Sequence, residues 1–141
     1  MLNKFVLGEL SYKITGICFK VHSSLGRFCR EKQYSDKLEE VLRENKVIYK
    51  REFEIGKLVE SPLGNKADFI LEDKIILDVK AKKFITKEDY YQMQRYLRAS
   101  NLELGLIVNF RNTFLKPKRV INNTYKGDTN YTDNRTNNTD D

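Results

Sequence analysis

The chain has 141 residues, 40% hydrophobic and 33% charged, with two cysteines, which excludes wholesale disorder, a second full core and a disulfide framework. It has no apolar run of roughly 18 residues to span a membrane, and the apolar stretch in residues 1–9 is too short for a signal peptide, so a reducing, cytoplasmic home is expected. A net charge of +6 attracts polyanions, nucleic acid first among them in cytosol, although a basic surface also serves solubility alone.

Leu10, Ile14, Ile17, Cys18 and Val21 follow helical spacing, which predicts an amphipathic helix over 9–24, ended by Gly26. A second helix is predicted over 31–45, with Tyr34, Leu38, Val41 and Leu42 as its apolar stripe and Asn45 as its stop. Glu31 lies three residues before Tyr34 and seven before Leu38, so it is expected on the stripe that faces the core. The period then changes. Residues 47–55 are β-branched and aromatic, as strands are, and Ser61, Pro62 and Gly64 mark a turn. Strands over 67–71 and 75–79 are joined by Glu72, Asp73 and Lys74 in a tight hairpin. Thr86 can cap a helix through about Ala99, with Glu88 and Asp89 in its first turn. Residues 104–110 form a nearly all-apolar, buried strand.

The order α-α-β-β-β-α-β predicts an α/β fold, a mixed four-stranded sheet flanked by helices. Beyond Ile121 no aliphatic residue occurs, and residues 122–141 hold two basic and four acidic side chains. That leaves 24 basic and 16 acidic residues in 1–121, a net +8. The domain is therefore placed at 1–116, and the Asn/Thr/Asp-rich tail at 117–141 is expected to be disordered.

The hairpin carries the chemistry. With the turn centred on Asp73, Phe69 faces Leu77, Ile70 faces Ile76 and Asp68 faces Asp78. One face then carries Phe69, Leu71, Ile75, Leu77 and Val79, all apolar. The other carries Asp68, Ile70, Ile76, Asp78 and Lys80. A shift of one residue would scramble this pattern. Like charges directly opposite on a sheet repel, so something must offset the pair. Lys80 is one candidate, in an ordinary solvated ion pair. A hard divalent cation is the other. Mg²⁺ takes few carboxylates, keeps room for water and phosphate, and suits phosphodiester hydrolysis, with a nearby Lys orienting water or neutralising charge.

Asp68, nine further residues, then Asp78, Val79 and Lys80 resemble the signature of the PD-(D/E)xK nuclease superfamily, the fold of restriction endonucleases. The order of elements is that superfamily's core order. A closer resemblance covers residues 10 to about 110 and is to the GxxExxY family, small bacterial-type proteins with the same core. It rests on residues 21–26, Glu31 and Tyr34, Ala67 and Asp68, and the blocks 78–81, 92–99 and 105–110. Phe28 stands where the signature's first glycine would fall, Asp78 where the family more often has Glu, and Lys83 where an acidic residue is expected. The resemblance implies a restriction-endonuclease-like core and a metal-dependent nuclease. Asp68 and Asp78 would bind metal, Glu31 would join them directly or through water, and Lys80 would position or activate water.

Other residues are weighed beside these. Gln92 and Tyr96 share a face of the third helix. A similar Gln-x-x-x-Tyr pair in helicase-associated nucleases supports the site, and a surface Gln beside a half-buried Tyr is the alternative. Cys18, His22 and Cys29 lack a fourth zinc ligand and have unusual spacing, so a half-buried structural His is favoured, or one touching substrate near the site. Lys80, Lys82, Lys83, Lys87, Arg95 and Arg98, with Tyr90 and Tyr91, could track a phosphate backbone or form a solvated face. Tyr34 completes the set as site support.

The expected function is a Mg²⁺-dependent nuclease, with Mn²⁺ as an alternative metal and DNA as the substrate. The rivals are a nucleic-acid-binding module that keeps the fold without cutting, and an enzyme active only within a complex. A homodimer or a protein partner stays open.

Overall fold

The computed structural model describes residues 7–55 and 66–127. Along the chain run α1 (Gly8–Leu25), α2 (Glu31–Glu44), β1 (Tyr49–Glu54), β2 (Lys66–Leu71), β3 (Ile75–Lys80), α3 (Lys87–Ser100), β4 (Leu104–Asn109) and β5 (Lys118–Ile121). The five strands form one sheet in the order β1-β2-β3-β4-β5. β3 and β4 are parallel, joined through α3, and every other neighbouring pair is antiparallel.

Local chemistry sets the ends of these elements. Gly26 stops α1 with φ 77°, a left-handed value, and its N–H donates to His22 O. Thr86 Oγ1 accepts from Asp89 N while Asp89 Oδ2 accepts from Thr86 N, a reciprocal cap on α3. Glu72 and Asp73 take left-handed φ values of 55° and 54°, which turns the chain within three residues. That turn sets the ladder Leu71–Ile75, Ile70–Ile76, Phe69–Leu77, the register the alternation predicts.

The two faces of the sheet are both covered. Phe69, Leu71, Ile75, Leu77 and Val79 pack under α1 and α2, against Ile14, Val21, Tyr34, Leu38 and Leu42. Ile70, Ile76, Ile107 and Val120 pack against Met93, Tyr96 and Leu97 of α3. Each such side chain contributes roughly 1.5–3 kcal/mol by leaving water. Gly105 lets α3 lie close on β4, since a Cβ there would meet the Met93 side chain at 2.4 Å. The polar residues of the hairpin therefore do not form a solvated face. They lie at its end, where Lys80 meets Asp89 at the start of α3.

Two expectations are corrected. The sheet has five strands, not four. β5 lies inside the stretch assigned to the tail, because a four-residue edge strand with two apolar residues is invisible in an average over a polar segment. Asn122 follows it and is buried, its Nδ2 donating to Leu97 O and Leu102 O. The turn at 61–64 and residues 128–141 lie outside the described residues. Among the described residues no helix is long and apolar enough to cross a membrane.

Candidate active site

The ladder between β2 and β3 stops after Phe69–Leu77. Beyond it, the Val79 N–H is met by Asp68 Oδ2 at 2.7 Å instead of by a backbone carbonyl. This side-chain bond brings the Asp68 carboxylate against β3, where it touches Asp78. Asp78 is only 6% exposed. Burial first, then hydrogen-bonding contact with Asp68 and its charge, push the Asp78 carboxyl up to about 7, against the pull of Lys80.

Lys80 Nζ lies 3.1 Å from Asp78 Oδ2 and 3.8 Å from Asp89 Oδ1. Burial alone would lower the pKa of this ammonium. Asp78, then Asp89 and Glu31, outweigh burial and raise it, so Lys80 stays charged. Asp89 Oδ2 also takes Lys82 Nζ at 2.6 Å. Burial works to raise the Asp89 carboxyl, but the bonds from Lys82 and Thr86 and the charge of Lys80 hold it below its ordinary value. Asn109 fixes the loop after β3 from the far side. Its Oδ1 accepts from Lys82 N at 3.1 Å and its Nδ2 donates to Lys82 O at 2.7 Å.

Asp68, Asp78 and Lys80 therefore come together, as the register argument requires. Glu31 does not lie on the core face. It is the first residue of α2 and is exposed, while the next stripe residue, Tyr34, is fully buried. The helical angle alone misjudges its burial, because Glu31 stands at the very start of the helix. Glu31 still acts on Lys80 through its charge. Gln92 and Tyr96 are both buried, which removes the surface-Gln alternative. Tyr96 OH donates to Lys66 O at 3.0 Å, and burial, then Asp78 and Asp68, raise its pKa.

Tyr34 is too deep to touch a substrate. It stacks on Phe110 at 4.4 Å and its OH donates to Gly26 O at 2.6 Å, which holds the loop before Glu31. Half-buried His22 ties α1 to the loop after β4 through Nε2 and Asn112 O, 2.9 Å apart. Lys83 and Arg98 are exposed and Arg95 is half-buried. A groove of about 340 Å³ opens beside the α3 cap, lined by Ile85, Thr86, Lys87, Tyr90, Tyr91 and Lys118. Asp89 and Asn109 are the site residues that sequence reasoning missed. Asp89 reads as a helix cap, and its second role depends on where α3 meets the end of β3.

A family model of the PD-(D/E)XK nuclease superfamily matches residues 8–121, from the start of α1 to the end of β5. The chain belongs to the PD-(D/E)XK nuclease superfamily, whose members generally use divalent metal ions. No curated protein and no solved structure matches it. The donor set fits such an ion. Two carboxylates are pressed together, and burial with the Asp68 charge raises the Asp78 carboxyl, a penalty that a cation between them would relieve. Among the described residues no three His, Cys, Asp or Glu side chains converge. A hard ion that takes one or two carboxylates and keeps its waters suits this pair better than a closed four-ligand zinc site would.

Proposed function

We propose that this chain is a Mg²⁺-dependent nuclease of the GxxExxY type that hydrolyses phosphodiester bonds in DNA in the cytoplasm, with Mn²⁺ able to replace Mg²⁺. The observation that carries the reading is the contact of half-buried Asp68 with buried Asp78 beside a charged Lys80. Asp68 and Asp78 would hold the cation, with Glu31 assisting through water from the start of α2. When bound, the cation polarises the phosphate and lowers the pKa of water.

Lys80 is kept protonated by its carboxylate neighbours, so it serves as a fixed positive charge and not as a base. It orients water and stabilises charge that builds on the phosphate. Gln92 and Tyr96 back the site from α3. Lys83, Lys87, Arg95 and Arg98, with the tyrosines of the groove, hold the strand. Lys82, paired with Asp89, steadies the loop between them. Tyr34 holds the loop that leads into Glu31, and His22 ties α1 to the loop after β4. The GxxExxY assignment is supported by Glu31, Tyr34 and the later blocks, with Phe28 as its departure. DNA is favoured by the likeness to restriction endonucleases.

The test is incubation of the purified protein with single- and double-stranded DNA and RNA in Mg²⁺, Mn²⁺ or EDTA. DNA cleavage in Mg²⁺ that EDTA abolishes is the expected result. Binding without cleavage of any of the four in either metal would establish the binding module instead.

A further inference from the structure

Arg51, a well-packed arginine, is met by Asp36 and Glu39 at 2.8 and 2.9 Å. Arg27 and Arg111 are arranged otherwise. Their guanidinium carbons lie 4.7 and 5.3 Å from the centroid of one ring, Phe28, and Arg27 Nε donates to Arg111 O at 2.8 Å. Both arginines are half-buried, and among the described residues neither makes an ion pair. Arg111 Nε is buried with no hydrogen-bond partner. Two like charges are thus gathered around one aromatic ring, which offsets only part of their repulsion.

The place of the pair is informative. Arg111 follows Asn109, the register partner of Lys80, by two residues, and Phe110 N donates to Lys80 O. Arg27 and Phe28 sit on the loop that leads into Glu31. Phe28 is 73% exposed, so the ring that gathers the arginines stands at the surface, where a strand can reach it. Guanidinium donors match phosphate oxygens in geometry and charge.

We propose that Arg27 and Arg111, held together on Phe28, clamp a backbone phosphate of the nucleic-acid strand beside the one that Lys80 faces. This inference rests on the nuclease reading but is tested without cleavage. Binding of a 12-nucleotide DNA strand and of its duplex is measured in EDTA over a range of NaCl concentrations. Arg27→Gln and Arg111→Gln should each weaken binding about tenfold at low salt and flatten the salt dependence by about one unit of slope. Arg111→Lys, which keeps the charge, should keep the slope. Phe28→Gly should weaken binding by less than either Gln variant, since both charges remain.

Unchanged affinity and slope in both Gln variants would overturn the clamp. So would a loss of affinity at unchanged slope, because that marks a loosened loop and not a lost phosphate contact. A wild type that cuts DNA while these variants bind normally overturns the clamp alone. A wild type that binds no nucleic acid overturns the nuclease reading, and the clamp with it.

Discussion

Two clusters of charge in this domain obey opposite rules. Between α2 and β1, Arg51 is shared by Asp36 and Glu39, and Tyr49 OH donates to Glu39 Oε2 at 2.6 Å. Every carboxylate there has a donor. Hydrogen bonds from Arg51 and then Lys32 lower the Asp36 carboxyl, and those from Tyr49 and then Arg51 lower Glu39. At the end of β3, two carboxylates face each other, and burial with mutual repulsion raises Asp78. The first cluster has satisfied its charges. The second holds one carboxylate out of its ordinary range, which is how sites that await a ligand differ from structural ion pairs.

The largest expected contrast between the clusters is in cleavage. Lys80→Ala should slow DNA cleavage by about 10²–10³-fold, the usual loss for a group that stabilises transition-state charge. Its affinity for DNA should change little, because one phosphate contact is lost among several. Arg51→Ala should cut within twofold of wild type. Single-turnover rates on both variants check the pair, and a slow Arg51→Ala enzyme would erase the distinction.

Stability against pH comes next. Folded Asp78 keeps its proton to about pH 7, while the unfolded carboxyl loses it near pH 4. Across that window the folded state binds more protons, so stability falls as pH rises. In EDTA at pH 8, Asp78→Asn should be more stable than wild type by up to roughly 4 kcal/mol, with the difference vanishing near pH 4. Urea unfolding at several pH values measures it.

Glu39 should behave with the opposite sign and a smaller size. Its folded pKa is lowered, so its contribution is present at neutral pH and is lost as pH falls below about 4. Glu39→Gln should destabilise by no more than about 1 kcal/mol at pH 7, because the pairs are only partly buried and solvent screens them. The same unfolding series checks this, and a Glu39→Gln protein stabilised at pH 8 would contradict the contrast.

The hairpin was legible in sequence because its register is overdetermined. The turn at Glu72–Lys74 and the apolar alternation of Phe69, Leu71, Ile75, Leu77 and Val79 agree on one pairing, which puts Asp68 and Asp78 at the same end of the hairpin, and the bond from Val79 N to Asp68 Oδ2 then draws Asp68 against β3. The helices were legible from their stripes and caps. Glu31 was misjudged because a stripe gives an angle around the axis, not the point along it where the core begins. β5 was missed because two apolar residues carry no period. Asp89 and the Arg27–Phe28–Arg111 group were missed for a tertiary reason. Arg27 and Arg111 meet only because the α1–α2 loop folds over the end of β4, 84 residues away in sequence.

Calorimetric titration of wild type and Asp78→Asn with Mg²⁺ near pH 7 tests most directly whether the Asp68–Asp78 pair is a cation site. Wild type should take up Mg²⁺ and release protons, since the cation replaces the proton that Asp78 holds, and Asp78→Asn should show neither effect. Equal binding by the two proteins, or uptake by wild type with no proton release, would contradict the account.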